Sequence, residues 1–279
     1  MKQQKTVSTM LTYVLLIIGS ILFLFPLLWM ISTSLKPIEQ TMQIPPVWIP
    51  QPIQWKNYFD IFTNPNIPLL LYGKNTLIIC ILGVLGVVIS SAFVAYGFAR
   101  INWPGKNILF GLTLATMMIP FPVTMIPLYG VFRSLHWIGT LKPLWVPAWF
   151  GSAFNIFLLR QFFLTIPTDL SDAARIDGCS EFRIFRQIIL PLCRPALTVV
   201  ALFHFMYAWN DFLGPLIYLN NQSTFTLSLG LQFYQSQHGG TQWHLLMAAS
   251  TMVVLPVIIL FFFTQKTFIQ GIAMTGLKG

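Results

Sequence analysis

Charge is what this sequence has least of. Of its 279 residues only 8% are charged and seven are acids, while 56% are hydrophobic. A chain of that composition cannot cover a water-facing surface with polar groups, so an ordinary soluble fold is excluded and lipid must be much of its solvent. The net charge of +9 does not mark a nucleic-acid surface, because no dense run of Lys and Arg carries interleaved stacking aromatics. No nucleic acid is expected as a partner. Cysteine is scarce too: Cys80 falls in an apolar stretch and Cys179 and Cys193 in a polar loop, with no disulfide framework among them. A nucleotide-binding G-x-x-x-x-G-K-[ST] loop is missing, since Gly105 and Lys106 adjoin but Asn107 follows and the first glycine is absent. His136, His204, His238 and His244 are scattered, without the spacing of a metal site, and no Ser, His and acid constellation stands out. We therefore expect no catalytic residue, no metal and no cofactor bound by this chain, and no enzyme.

What the chain has in abundance is apolar sequence of bilayer length. A hydrocarbon core of ~30 Å takes about 20 residues of helix, because every backbone amide must find its partner within the segment. Six stretches qualify: residues 11–32, 76–99, 107–132, 144–164, 196–219 and 243–264. The expected fold is all-α, a polytopic membrane protein with six transmembrane helices forming one transmembrane domain over 1–279. The first stretch of 22 residues is longer than a signal-peptide core and no small-x-small cleavage site follows, so we expect it to remain as a helix. With both termini on the cytoplasmic side, the inner segments hold Lys2, Lys5, Arg100, Lys106, Arg160, Arg175, Arg183, Arg186, Arg194, Lys266 and Lys278, eleven of the sixteen basic residues. That excess is the one expected of cytoplasmic loops. The segment 33–74 is then extracytoplasmic, long and proline-rich enough to form a small cap. No internal repeat or low-complexity tract is visible. Pro120, Pro122 and Pro127, Pro147, Pro215 and Pro256 interrupt four of the stretches, either as ordinary kinks or as parts of a gate.

The segment 166–194 is the most informative. Asp169 can cap a short helix, with Asp172 in its first turn. Gly178 can end that helix in a left-handed conformation, and Ser180 can cap the next. In that second helix Phe182, Phe185, Ile188 and Ile189 recur at helical spacing, with Arg183, Arg186 and Gln187 on another face, until Leu190 and Pro191 stop it. Ala173, Ala174 and Gly178 make a small-residue patch that another surface can approach closely. From pattern alone this is either an interfacial amphipathic linker or a docking element.

These residues resemble the inner-membrane permeases of bacterial and archaeal ABC importers, whose signature is E-A-A-x3-G-x9-I-x-L-P. Here it reads Asp172, Ala173, Ala174, Gly178, Ile188, Leu190 and Pro191, with Asp in place of Glu as the single departure. The likeness covers nearly the whole chain and is nearest the sugar-importer branch, of the type of the smaller maltose permease subunit. ISTSLKP, AYGFARINWPGKN, AARIDG, WNDFLGPLIYL and the terminal GLKG carry it. The resemblance implies the type I importer permease (MetI-like) fold in a bacterial or archaeal cell membrane, the inner membrane where there are two. It also implies a second permease subunit, two ATPase subunits that use ATP and Mg, and an extracytoplasmic sugar-binding protein. Asp172, Ala173, Ala174, Arg175, Asp177, Gly178, Glu181 and Arg183 would then couple to the ATPases. A channel or an ATP-independent transporter is the competing class, but one acid in six stretches and no repeat speak against it. A membrane scaffold would need no docking loop.

The fifth stretch departs from its apolar neighbours. His204, Tyr207, Asp211 and Tyr218 share a helical face, Asn210 lies beside them, and Asp211 is the only acid inside a span. Pro215 lacks the amide that would bond the carbonyl of Asp211, and Gly214 loosens the same turn, so a break is expected there. Tyr207, Asn210 and Asp211 are candidates for the translocation pathway, Tyr207 or Trp209 offering a ring to a sugar face. The alternative is that Asn210 and Asp211 tie helices together.

Overall fold

Apolar residues leave a backbone in lipid no partner but itself, and every regular element among the described residues is helical. This computed structural model describes residues 2–235 and 240–276, with side chains over 9–235 and 240–265. His238 and the last three residues of the GLKG terminus lie outside the described residues. In chain order the helices are α1 (Lys2–Ser34), α2 (Ile38–Thr41), α3 (Lys56–Thr63), α4 (Leu69–Arg100), α5 (Lys106–Thr116), α6 (Phe121–Ser134), α7 (Lys142–Trp145) and α8 (Ala153–Thr165). They continue as α9 (Thr168–Ile176), α10 (Glu181–Ile184), α11 (Leu190–Leu192), α12 (Arg194–Asn210), α13 (Leu213–Tyr218), α14 (Leu227–Leu231) and α15 (Trp243–Gly276).

Three helices are long and apolar enough to span by themselves, over Thr9–Ser34, Leu69–Arg100 and Trp243–Gln265, and three bent pairs raise the number to as many as six. The bends have chemical causes. In the third stretch α5 and α6 meet at 99° across Met117–Pro120, where Pro120 precedes α6 and Pro122 occupies its first turn. In the fourth, the 75° bend lies between α8 and α9, where Ile166 is extended and Pro167 precedes α9. Earlier in that stretch α7 runs into a 3-10 turn over Val146–Phe150 that contains Pro147, and Gly151 at φ 88° separates it from α8. Pro26 and Pro256 remain inside α1 and α15. The sixth stretch therefore is not interrupted at its proline.

The chain divides into two units, residues 1–70 with 230–256, and 71–229 with 257–279. In the first, the segment after α1 folds back on the helix end. Asn57 Nδ2 donates to the carbonyls of Ser34 and Lys36 at 2.8 and 2.9 Å, Ser34 Oγ meets the Tyr58 hydroxyl at 2.7 Å, and Trp48 packs its ring on Phe25 and Trp29. Lys36 is fully buried, its ammonium 3.8 Å from the Trp29 ring centroid and donating to Thr33 Oγ1 at 3.3 Å. Burial lowers its pKa.

The second unit has its core around the C-terminal half of α4. Val87, Ala92, Ala95, Tyr96 and Phe98 pack with Leu159 and Phe163 of α8, with Ala174, Ile184, Phe185 and Ile189 of the motif segment, and with Ala196 and Val200 of α12. Close approach depends on a small residue on α4: a Cβ on Gly86 would lie 2.5 Å from Trp149, and one turn on Ser90 Oγ donates to the Ala148 carbonyl at 3.1 Å. At the end of α4 Arg160 Nε donates to the Phe98 carbonyl and its guanidinium lies 4.1 Å from the Phe110 ring centroid.

Candidate functional site

The motif segment is a pair of helices laid against α4. Pro167, extended and with no amide to donate, takes the position before α9, and no side chain caps that helix. Asp169 therefore sits in the first turn, not at the cap, where its charge still meets the positive helix end. Gly178 closes α9 at φ 77°, with Gly178 N–H donating to the Arg175 carbonyl and Cys179 N–H to that of Ala174, the paired bonds of a left-handed helix stop. Ser180 caps α10, its Oγ accepting from Arg183 N–H.

The second helix does not stop at Leu190 and Pro191. In a regular helix the proline ring would meet the carbonyl one turn back, but here the backbone widens to a π turn over Phe185–Ile189 and α11 continues to Leu192. Along this helix Ile184, Phe185 and Ile189 are buried, whereas Phe182, upstream of the π turn, is 59% exposed.

The predicted coupling residues fall into three groups. Ala173 and Gly178 are exposed, whereas Ala174 turns inward and joins the core. Beside Ala173 on its helical face stand Leu170 and Ile176, the latter 86% exposed, so α9 presents an uncovered apolar strip within this chain. Asp177 is exposed at the end of α9, and Arg183, also exposed, donates through Nε to Gln187 at 3.0 Å. The remaining charges form a chain. Arg175 donates to Asp172 Oδ1 at 2.6 Å and to Glu181 Oε1 at 2.7 Å, and the Tyr96 hydroxyl donates to Glu181 Oε2 at 2.6 Å. The bonds from Arg175 and then Tyr96 hold the Glu181 carboxyl below the usual carboxylate range, and the bond to Glu181 raises the Arg175 pKa.

The fifth stretch breaks where expected. α12 ends at Asn210, Asp211 is extended, and α13 begins at Leu213. Asp211 restarts the helix: Oδ1 accepts from Gly214 N–H at 3.0 Å. Its own carbonyl, denied an amide by Pro215, accepts from the Ser228 hydroxyl. Asn210 is exposed and donates to the Met206 carbonyl at 2.8 Å. Tyr207 is 63% exposed with its ring 5.9 Å from that of His204. Trp209, by contrast, is 4% exposed and stacks on Phe205, so Tyr207 alone of the two presents a ring. Beyond the break, Asn75 Nδ2 donates to the Ser223 and Phe225 carbonyls and Thr76 Oγ1 accepts from Leu227 N–H, which fastens residues 222–228 to α4.

Sequence reasoning missed Tyr96, Leu170, Ile176 and Ser228. The first three lay in or beside the motifs, and the exposed spacing of Leu170, Ala173 and Ile176 was there to be read. Ser228 had no signal, being 17 residues from its partner. Among the described residues no three His, Cys, Asp or Glu side chains stand close enough to hold a metal ion.

Residues 86–274 match the family described as binding-protein-dependent transport system inner membrane component. The arabinooligosaccharides transport system permease protein AraQ of Halalkalibacterium halodurans is 36% identical over 257 residues, 91% of each chain. The sn-glycerol-3-phosphate transport system permease protein UgpE of Yersinia enterocolitica is 32% identical over 265 residues, 93% of this chain and 94% of that one. In fold the chain is similar to a solved bacterial ABC transporter involved in the import of the acidic polysaccharide alginate, with a TM-score of 0.83 at 22% identity over 94% of this chain and 97% of the other.

Proposed function

The chain belongs to the inner membrane components of binding-protein-dependent transport systems, and from that premise we propose that it forms one side of the pathway by which an ATP-driven importer takes up a neutral sugar or oligosaccharide. It is a membrane permease subunit, and ATP hydrolysis belongs to a separate ATPase subunit. In our reading two such ATPases, using ATP and Mg, dock on the segment 166–194 from the cytosol. A second permease subunit completes the pathway, and an extracytoplasmic binding protein delivers the substrate. The chain, as a single transmembrane domain, crosses the bacterial or archaeal cell membrane, the inner one where there are two. Both termini are cytoplasmic and 33–74 lies outside.

The observation that carries the coupling role is the uncovered strip of Leu170, Ala173 and Ile176 on a helix closed at Gly178 and rooted in the core of the second unit. An apolar strip rimmed by Asp172, Arg175, Asp177 and Arg183 suits a protein groove better than water. For the substrate, the carboxylate of Asp211 beside the exposed Tyr207 ring favours hydroxyl groups over anions. AraQ is named for arabinooligosaccharides, which accords with a neutral cargo, whereas UgpE is named for a phosphate ester. Asp211 weighs for the first. The test is reconstitution of the assembled importer in vesicles, with uptake of a neutral oligosaccharide measured beside receptor-stimulated ATP hydrolysis. Uptake that persists when the ATPase partners are inactivated would refute the reading.

A further inference from the structure

The geometry points to Tyr96 as a positioning residue whose hydroxyl, bound to Glu181, makes the helix pair of residues 168–192 move as one body with the span α4. This rests on the importer function proposed above. Most of what joins the pair to α4 is aromatic packing: Phe93 on Phe185 at 4.8 Å, Tyr96 on Phe185 at 5.0 Å, and Phe93 stacked on Phe182 at 6.3 Å. Such contacts are attractive but have little direction, and packed surfaces of this kind can slide. Direction comes from two polar ties. Arg100, at the last residue of α4, donates through Nη2 to the carbonyl of Ile166, where the chain enters the pair. That tie fixes one point and leaves a swing about it.

Tyr96, one turn back along α4, supplies the second point. Its hydroxyl meets Glu181 Oε2 at 2.6 Å, within the short range of bonds to an ionised acceptor. Glu181 is the junction: its other oxygen takes Arg175 from α9, and Arg175 reaches on to Asp172, the acid of the motif. One carboxylate thus joins α4, α9 and α10. A pull exerted at the exposed face of α9 passes through Arg175 and Glu181 to a residue inside the span. The Glu181 side chain is 44% exposed, so water can take over its hydrogen bonds when the contact is broken. Losing the contact therefore costs registration more than folding.

The experiment uses the full chain in the assembled importer, reconstituted with its ATPase partners and binding protein, and compares wild type with Y96F, E181Q and the double variant. Phenylalanine at 96 keeps the ring and its packing on Phe185. The readouts are ATPase co-purification, receptor-stimulated ATP hydrolysis, and substrate molecules imported per ATP. We expect co-purification to be retained in Y96F, imports per ATP to fall about tenfold in each single variant, and the double variant to be no worse than either. A wild-type ratio in either single variant overturns the inference. Loss of ATPase co-purification in Y96F would overturn it too, since the contact would then be merely structural. If wild type itself showed no ATP-dependent uptake, the importer reading would fail first, which keeps the two failures apart.

Discussion

At the scale of single residues, Asp211 and Glu181 use the same side-chain chemistry for different ends. Asp211 is a helix cap placed in a span, and the cap can be separated from the charge. Asparagine caps as well as aspartate, while leucine removes the acceptor at a cost of about 1 kcal/mol to the start of α13. We expect D211N to retain α13 and most uptake, and D211L to lose uptake while keeping receptor-stimulated ATP hydrolysis. Transport by D211L at the wild-type rate would remove this turn from the pathway. Glu181 is bound in its ionised form, so its folded pKa lies below the ordinary 4.5. Its contribution to stability is therefore complete above that ordinary value and is lost as the pH falls below it through the lowered folded value. Hydrogen exchange over residues 168–184, corrected for intrinsic rates, should show protection that is steady down to the ordinary value and declines below it. In E181Q, which has no such carboxylate to titrate, the decline should be absent.

At the scale of elements, the helix stop at Gly178 offers a cleaner separation of strain from docking. A Cβ there meets nothing within 4 Å in this chain, so Gly178→Ala costs only the left-handed backbone conformation, about 1–2 kcal/mol. We expect G178A to accumulate and to transport at a reduced level, and G178L to accumulate similarly yet lose ATPase co-purification, because the added bulk stands where a partner surface packs. Equal co-purification of the two variants would place the docking surface elsewhere. Although the stop expected at Leu190 and Pro191 gave way to a π turn, local chemistry made this element legible in the sequence: glycine with a left-handed φ and serine as cap depend on a few neighbouring residues. The same holds for the break at Asp211, which followed from the missing amide of Pro215. What stayed hidden depends on partners far along the chain. Ala174 turns inward because α4 lies there, Phe182 stays largely exposed while Phe185 near it is buried, and Ser228 reaches Asp211 from another element. Helical spacing names the residues that share a face, but it does not say which face the rest of the chain covers.

At the scale of the whole molecule, the claim most exposed to test is the sidedness of the chain. Eleven of sixteen basic residues fall in the segments we place inside, and 166–194 alone holds Arg175, Arg183, Arg186 and Arg194. The segment 220–242 holds none. Moving a guanidinium or ammonium group across the hydrocarbon core is costly, so this asymmetry fixes orientation when the chain inserts. Ser180 and Gln222 are suited to report it: each is exposed, and they flank the fifth stretch on opposite ends. The background requires removal of Cys80, Cys179 and Cys193; the first and last are buried, so alanine is the replacement least prone to strain there. In that background S180C should react with a membrane-impermeant maleimide only after the cells are opened, and Q222C in intact cells. Labelling of S180C from outside would place the helix pair away from the cytosol, beyond the reach of any ATPase, and would overturn both the orientation and the coupling role.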